Sequence, residues 1–263
     1  MKVAVEDFPP AAVVAGRTLI GASILIPIAI YRKKFGGAVL GFKYVAFYAL
    51  MEMIGPWILI TTAEQKINSG LAGLLVSTVP IFATIITSLR GDHSVWQFKR
   101  VFGIIVGFIG LILVVGIESL SGNSDPLSIA MVIVAAMGYA YAVIMVTSNL
   151  PLVDGIAING LAMAITTVFW APVAIAQWPS SISMGSALSL IALGVFSTAI
   201  AFILFFKVMA EIGPARSSLV TYLNTAIAVL LGVIILREPL TVGIIVGLPL
   251  VLVGSYLASK KTV

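Results

Sequence analysis

Two charged residues stand where charge is costly. Glu52 interrupts FYALMEMIGPWILIT, an apolar run from Phe47 to Thr61, and Gly55-Pro56 follows it. Arg17 sits in an equally apolar stretch, VVAGRTLIG. A carboxyl in such a run must be protonated, face a water-filled cavity, or face protein groups that satisfy it. A protonatable Glu52 can couple proton movement, and an ionised one can hold a substrate ammonium group. The plainer alternative is a protonated acid bonded to a neighbouring helix. Arg17 can pair with Glu52 or draw anionic substrate groups inward. It can equally snorkel to headgroups or form a structural ion pair. Pro56 has no N–H, so the Gly55-Pro56 pair leaves backbone groups free in its helix. Helix breaks of this kind line sites in transporters, or simply kink a packed helix.

Other chemistries are excluded by residue type. The chain has no cysteine and a single histidine, His93, so thiolate metal sites, disulfides and His-rich metal sites are ruled out. No Walker-type loop and no G-x-S-x-G occurs. The sequence therefore predicts neither an enzyme nor a cofactor. A polytopic membrane enzyme remains the least favoured class.

The elements that position Glu52 and Arg17 follow from composition. Of 263 residues, 60% are hydrophobic and 10% charged, with mean hydropathy +1.17. Soluble domains carry about 25% charged residues, so the lipid bilayer is the expected solvent. A membrane span needs roughly 20 apolar helical residues. Nine such runs occur, near Ala11–Tyr31, Tyr44–Thr62, Gly70–Leu89, Val101–Ile117, Leu127–Thr147, Ile156–Gln177, Ala187–Phe206, Ala215–Leu236 and Val242–Ala258. Their continuity predicts helices rather than barrel strands. The fold class is thus an all-α, polytopic membrane protein with nine transmembrane helices. Glu52 falls near the bilayer midplane and Arg17 nearer the outer face.

Lysine and arginine set the orientation. Eleven of them follow odd-numbered runs: Arg32, Lys33, Lys34, Lys43, Arg90, Lys99, Arg100, Lys207, Arg216, Lys260 and Lys261. Three, Lys2, Lys66 and Arg237, lie on the opposite side. The positive-inside rule then places the C-terminus in the cytoplasm of a plasma (inner) membrane protein. The net charge of +5 belongs to these anchors, and no nucleic-acid partner is expected.

The two halves carry a weak internal repeat. GLAGLLVSTVPIF (Gly70–Phe82) aligns with ARSSLVTYLNTAI (Ala215–Ile227), and both helices are broken near the middle by a polar or proline position. Gly103-Ile-Ile-Val-Gly107 and Gly243-Ile-Ile-Val-Gly247 spell the same letters in the last helix of each half. They are GxxxG motifs, suited to close packing within the chain or to a homodimer seam. In this register Glu52 faces Ser197. Residues 1–118 form a first repeat of four helices and 126–263 a second of five. An odd helix number inverts the second copy, an arrangement that recurs in secondary transporters.

The ordered set of motifs resembles the EamA-domain group of the drug/metabolite transporter superfamily, ten-helix proteins built from two five-helix repeats. It comprises Phe8-Pro9-Pro10 with Arg17, Ser69-Gly70-Leu71-Ala72 through Pro80, Arg90-Gly91-Asp92, Gly213-Pro214-Ala215-Arg216-Ser217-Ser218-Leu219, Arg237-Glu238-Pro239-Leu240, and Gly247 to Gly254. Against that pattern the first helix is missing, as expected of a start placed too far downstream. Asn224-Thr225 stands where many members have Glu-Pro.

The resemblance implies a multi-pass transporter that exports amino acids or similar small metabolites by alternating access, with protons as a possible partner. The alternative is an incomplete or non-transporting scaffold. Thr78, Tyr139, Tyr141, Asn159, Ser197, Thr198, Tyr222 and Asn224 all fall at membrane depth, where such groups glue helices at about 0.6–2 kcal/mol each. Tyr222 and Asn224 share the helix of the Glu-Pro departure, and the resemblance sets Tyr139 beside the central cavity. The expected substrate or proton pathway therefore comprises Glu52, Arg17, Tyr139, Ser197, Tyr222 and Asn224, with a helix break at Gly55 and Pro56. Trp57 could stack on a substrate.

Overall fold

A computed structural model describes residues 3–91, 98–120, 125–212, 219–235, 237 and 241–259. All regular structure among them is helical. Six helices are long and apolar enough to cross a membrane: Pro10–Tyr31, Phe42–Ala63, Ser69–Leu89, Pro126–Asn149, Gly155–Ala176 and Met184–Val208. A helix of 22 residues such as Pro10–Tyr31 is about 33 Å long at about 1.5 Å per residue, which matches a bilayer core. Shorter apolar helices cover Val101–Leu113 and Val242–Leu257. Helix is also described over Leu219–Ile235. Eight of the nine apolar runs read from the sequence fall on described helices to within a residue, and the described part of the ninth falls on Leu219–Ile235.

Polar residues start several of them. Asp154 Oδ1 accepts from the N–H groups of Ile156 and Ala157 at 3.0 and 3.2 Å. Asp125 Oδ2 accepts from the Ser128 N–H at 3.0 Å, and Ser183 Oγ from the Ser186 N–H at 3.2 Å. Each acceptor satisfies a donor that the first helical turn leaves without an intrahelical partner.

The helices sort into two compact units, each built from both halves of the sequence. One comprises Met1–Gln65 and Met145–Gly213, the other Lys66–Ile144 and Pro214–Val263.

In the first unit, Pro10–Tyr31 packs between Gly155–Ala176 and Met184–Gly194. Phe8, Ala12, Val13, Ala174 and Leu190 form a buried cluster with Trp170 against it. Two of the unit's long helices contain a π-helical turn, Leu50–Ile54 in one and Val195–Ile200 in the other. In the first, the Gly55 N–H donates to the carbonyl of Leu50, five residues back. In the second, the Ala201 N–H reaches the carbonyl of Phe196.

In the second unit, Phe98–Leu120 lies along Val242–Ser259. A side chain at Gly254 would collide with the backbone of Gly107, so hydrogen alone permits this approach. The Gly103–Gly107 motif thus serves packing within the chain. The Ser69–Leu89 helix is interrupted at Ser77-Thr78, between Ser69–Val76 and Val79–Leu89. Ser77 and Thr78 hydroxyls donate to the carbonyls of Leu74 and Leu75, both at 2.6 Å, and close the turn ahead of Pro80.

Candidate functional site

Glu52 is the eleventh of 22 residues in Phe42–Ala63 and lies inside the Leu50–Ile54 π turn. A π turn is one residue in excess of the α-helical count, and such turns recur at functional sites. The side chain is half-buried, and its Oε2 is shielded without a hydrogen-bond partner among the described residues. Pro56, buried just downstream, supplies no N–H, which leaves the carbonyl at Met51 or Glu52 without its usual donor. Gly55 and Pro56 therefore sit at the end of a real helix irregularity. The helix continues through them to Ala63.

Arg17 is the eighth residue of Pro10–Tyr31 and is 6% exposed. Its Nη2 and Nε donate to Thr198 Oγ1 at 3.0 and 3.2 Å. Its guanidinium carbon lies 3.8 Å from the centroid of the Trp57 ring, a cation–π stack. Gly21, one turn further along the same helix, makes room for this meeting. A methyl group there would come within 2.9 Å of Thr198 Cγ2. Thr198 belongs to the Val195–Ile200 π turn, and its hydroxyl donates to the Leu193 carbonyl at 2.7 Å.

Ser197 lies in the same π turn but is exposed. The residue that takes the buried polar role is its neighbour Thr198, fully buried and bonded to Arg17. Sequence reasoning placed Thr198 at membrane depth but outside the pathway. The only signal for it was adjacency to Ser197.

Further polar contacts surround these turns. Tyr48, one turn before Glu52, donates its hydroxyl to Asn159 Oδ1 at 3.0 Å, and Asn159 Nδ2 donates to the Gly155 carbonyl at 2.9 Å. Trp170 Nε1 donates to the Ile54 carbonyl at 3.2 Å, so this tryptophan ties a helix to the end of the first π turn. Trp178 is 54% exposed and meets Phe8 edge to face. An apolar groove of about 400 Å³ lies between Pro10–Tyr31 and Gly155–Ala176, lined by Leu19, Ser23, Pro27, Ala164, Thr167 and Val168 among others. None of the sequence candidates lines it.

The remaining candidates belong to the second unit. Tyr139 is half-buried on Pro126–Asn149. Tyr222 and Asn224 fall within Leu219–Ile235, and their side chains lie outside the described residues. So do Asp92, His93, Trp96, Arg216 and the Glu238-Pro239-Leu240 stretch. Among the described residues, no group of three His, Asp or Glu side chains is placed to hold a metal ion.

Comparison with known proteins gives a consistent picture. The model of the EamA-like transporter family matches residues 1–116 and 126–260. The chain is 27% identical over 266 residues to the uncharacterized transporter YoaV of Bacillus subtilis, covering 98% of this chain and 89% of that protein. It is 25% identical over 274 residues to the uncharacterized inner membrane transporter YedA of Escherichia coli K12, covering 100% and 88%. A solved crystal structure shares the fold, with a TM-score of 0.64 at 17% identity over 95% of this chain and 88% of that one.

Proposed function

The chain belongs to the EamA-like transporter family, and on that premise we propose that this multi-pass membrane transporter exports amino acids or similar small metabolites by alternating access. The observation that carries the proposal is Glu52. It is an acidic residue halfway along a membrane-length helix, on a π turn, with a shielded oxygen that no described group satisfies. Intramembrane acids mark substrate, ion or proton pathways. Irregular helix turns at membrane depth are where secondary transporters build sites.

The same reading carries nine membrane crossings, inverted repeats over 1–118 and 126–263, and a cytoplasmic C-terminus. It also assigns Glu52 to the substrate or proton pathway, with Tyr139, Ser197, Tyr222 and Asn224 contributing along it. The two π turns support the repeat, because Glu52 and its counterpart Ser197 each occupy one.

The test profiles metabolites in the spent medium of cells expressing the chain, cells expressing Glu52→Gln at equal membrane abundance, and empty cells. A compound should accumulate outside with the parent chain and fall to the empty-cell level with Glu52→Gln. Equal accumulation in both would keep export and remove Glu52 from the pathway. Depletion of a compound from the medium, rather than accumulation, would reverse the direction.

A further inference from the structure

Arg17 touches both helices that carry π turns. One edge of its guanidinium donates to Thr198, inside Val195–Ile200. Its face stacks on Trp57, which follows the turn holding Glu52 by three residues. Thr198 is itself fixed by a bond to the Leu193 carbonyl, a five-residue reach that matches π spacing. We propose that Arg17 is a positioning residue that locks the two π turns together, so that the turn of Glu52 and the turn of Ser197-Thr198 change register as one.

The geometry makes the two contacts interdependent. Resolving a π turn into α-helix shifts the helix by one residue, which turns side chains on one side of it by about 100°. A shift at Val195–Ile200 alone would carry the Thr198 hydroxyl away from the guanidinium edge. A shift at Leu50–Ile54 alone would slide Trp57 from beneath its face. A single rigid, planar group cannot keep both contacts while only one turn moves. Lysine could not substitute, because its ammonium has neither the fork for two bonds to one hydroxyl nor a plane to stack. Arg17 then acts through the turn of Glu52 and need not meet the substrate. This consequence for transport rests on the proposed function, whereas the coupling itself does not.

The chain has no cysteine, so single thiols can report each turn. Met51→Cys reads the first turn, and Ser197→Cys, at an exposed position, reads the second. Ser180→Cys, in an exposed loop of the same unit, is the control. The full chain in membranes is labelled with N-ethylmaleimide, and the rate is followed for each thiol. Trp57→Leu should change the labelling rate at Ser197→Cys, and Thr198→Val should change it at Met51→Cys. Each change should be about fivefold or more, the low end for coupled sites. Arg17→Lys should change both, Thr198→Ser should restore the parent rates, and Ser180→Cys should not respond.

The proposal is overturned if Trp57→Leu alters only Met51→Cys and Thr198→Val only Ser197→Cys. It is equally overturned if the control thiol responds as strongly, which would make the contacts a source of general rigidity. The reciprocal arms leave Arg17 in place, so they decide the matter even where Arg17→Lys does not insert. Labelling does not depend on transport, so its failure is distinguishable from failure of the exporter reading.

Discussion

The two compact units hold their helices together by different means. In the unit of Met1–Gln65 and Met145–Gly213, polar side chains cross between helices: Arg17 to Thr198, Tyr48 to Asn159, Thr18 to Thr167, and Trp170 to the Ile54 carbonyl. In the other unit, Gly107 and Gly254 let two helix backbones meet. The hydroxyls of Ser77, Thr78 and Thr84 there each donate to a carbonyl of the preceding turn, Thr84 to that of Pro80 at 2.9 Å. The Ser255 hydroxyl crosses to another helix and donates to the Ser77 carbonyl at 2.7 Å. Lipid tails are as apolar as leucine, so helices in a bilayer associate through shape or through hydrogen bonds rather than through the hydrophobic effect. The second unit shows association through shape at Gly107 and Gly254, and the first shows it through directional bonds. Directional bonds can be exchanged for others when a helix changes register, and both described π turns occur in the unit where Arg17, Tyr48 and Trp170 make such bonds.

The largest expected effect tests the shape-based unit. Gly254→Leu places a side chain on the backbone of Gly107 and forces Phe98–Leu120 away from Val242–Ser259. Overpacking of this kind should cost about 3 kcal/mol or more. A thermal melt in detergent should show it as a large drop, with loss of the monodisperse peak on size exclusion. A melt equal to the parent's would break the contrast. Tyr48→Phe, in the bond-based unit, ranks next. It leaves buried Asn159 Oδ1 without its donor, at a cost of about 1–3 kcal/mol. Adding Asn159→Leu should recover part of the loss, because removing both partners costs less than removing one. A double variant less stable than Tyr48→Phe would show that Asn159 is held by packing instead. Thr166→Val should be milder, below about 1 kcal/mol, because its hydroxyl donates within its own helix, to the Ala162 carbonyl at 2.8 Å.

The sequence showed the shape-based unit more clearly than the bond-based one. The glycine motif announces close helix approach by spacing alone, within the chain or between two chains, and Gly107 does meet another backbone of the same chain. The interruption of the Gly70–Phe82 stretch was also visible, because Ser77-Thr78-Val79-Pro80 combines back-bonding hydroxyls with a residue that cannot donate. Arg17 was visible as an oddity, but not its partner. Its charge gave no sign of the neutral hydroxyl and the indole face that the guanidinium meets. That Thr198 is buried and Ser197 exposed could not be read from period. A π turn adds a residue, so helical spacing counted across Val195–Ile200 assigns the wrong face downstream. No residue type announces such a turn. Gly55-Pro56 flags one of the two, and Val195–Ile200 has neither residue.

The smallest expected effect concerns a feature the units share. Asp7 Oδ2 accepts from the Ser183 N–H at 2.9 Å, and the Ser186 hydroxyl donates to the Val3 carbonyl at 3.0 Å, so the first residues are tied to the start of Met184–Gly194. The Ser183 hydroxyl, then its backbone N–H, holds the Asp7 carboxyl below the usual aspartate range. In the other unit the Ser128 hydroxyl and then its N–H do the same for Asp125, and Lys66 at 3.6 Å adds less. Both carboxyls bind protons more weakly folded than unfolded. Their stabilisation is complete above about pH 4, the unfolded aspartate value, and disappears as pH falls through the lower folded value. Asp7→Asn and Asp125→Asn should each flatten the acid limb of melting temperature against pH. The two groups belong to different units and share no partner, so the effects should add in the double variant. A double variant no flatter than either single one would mean that one unit's acid melting controls the other's, and would end the separation into two independently stabilised units.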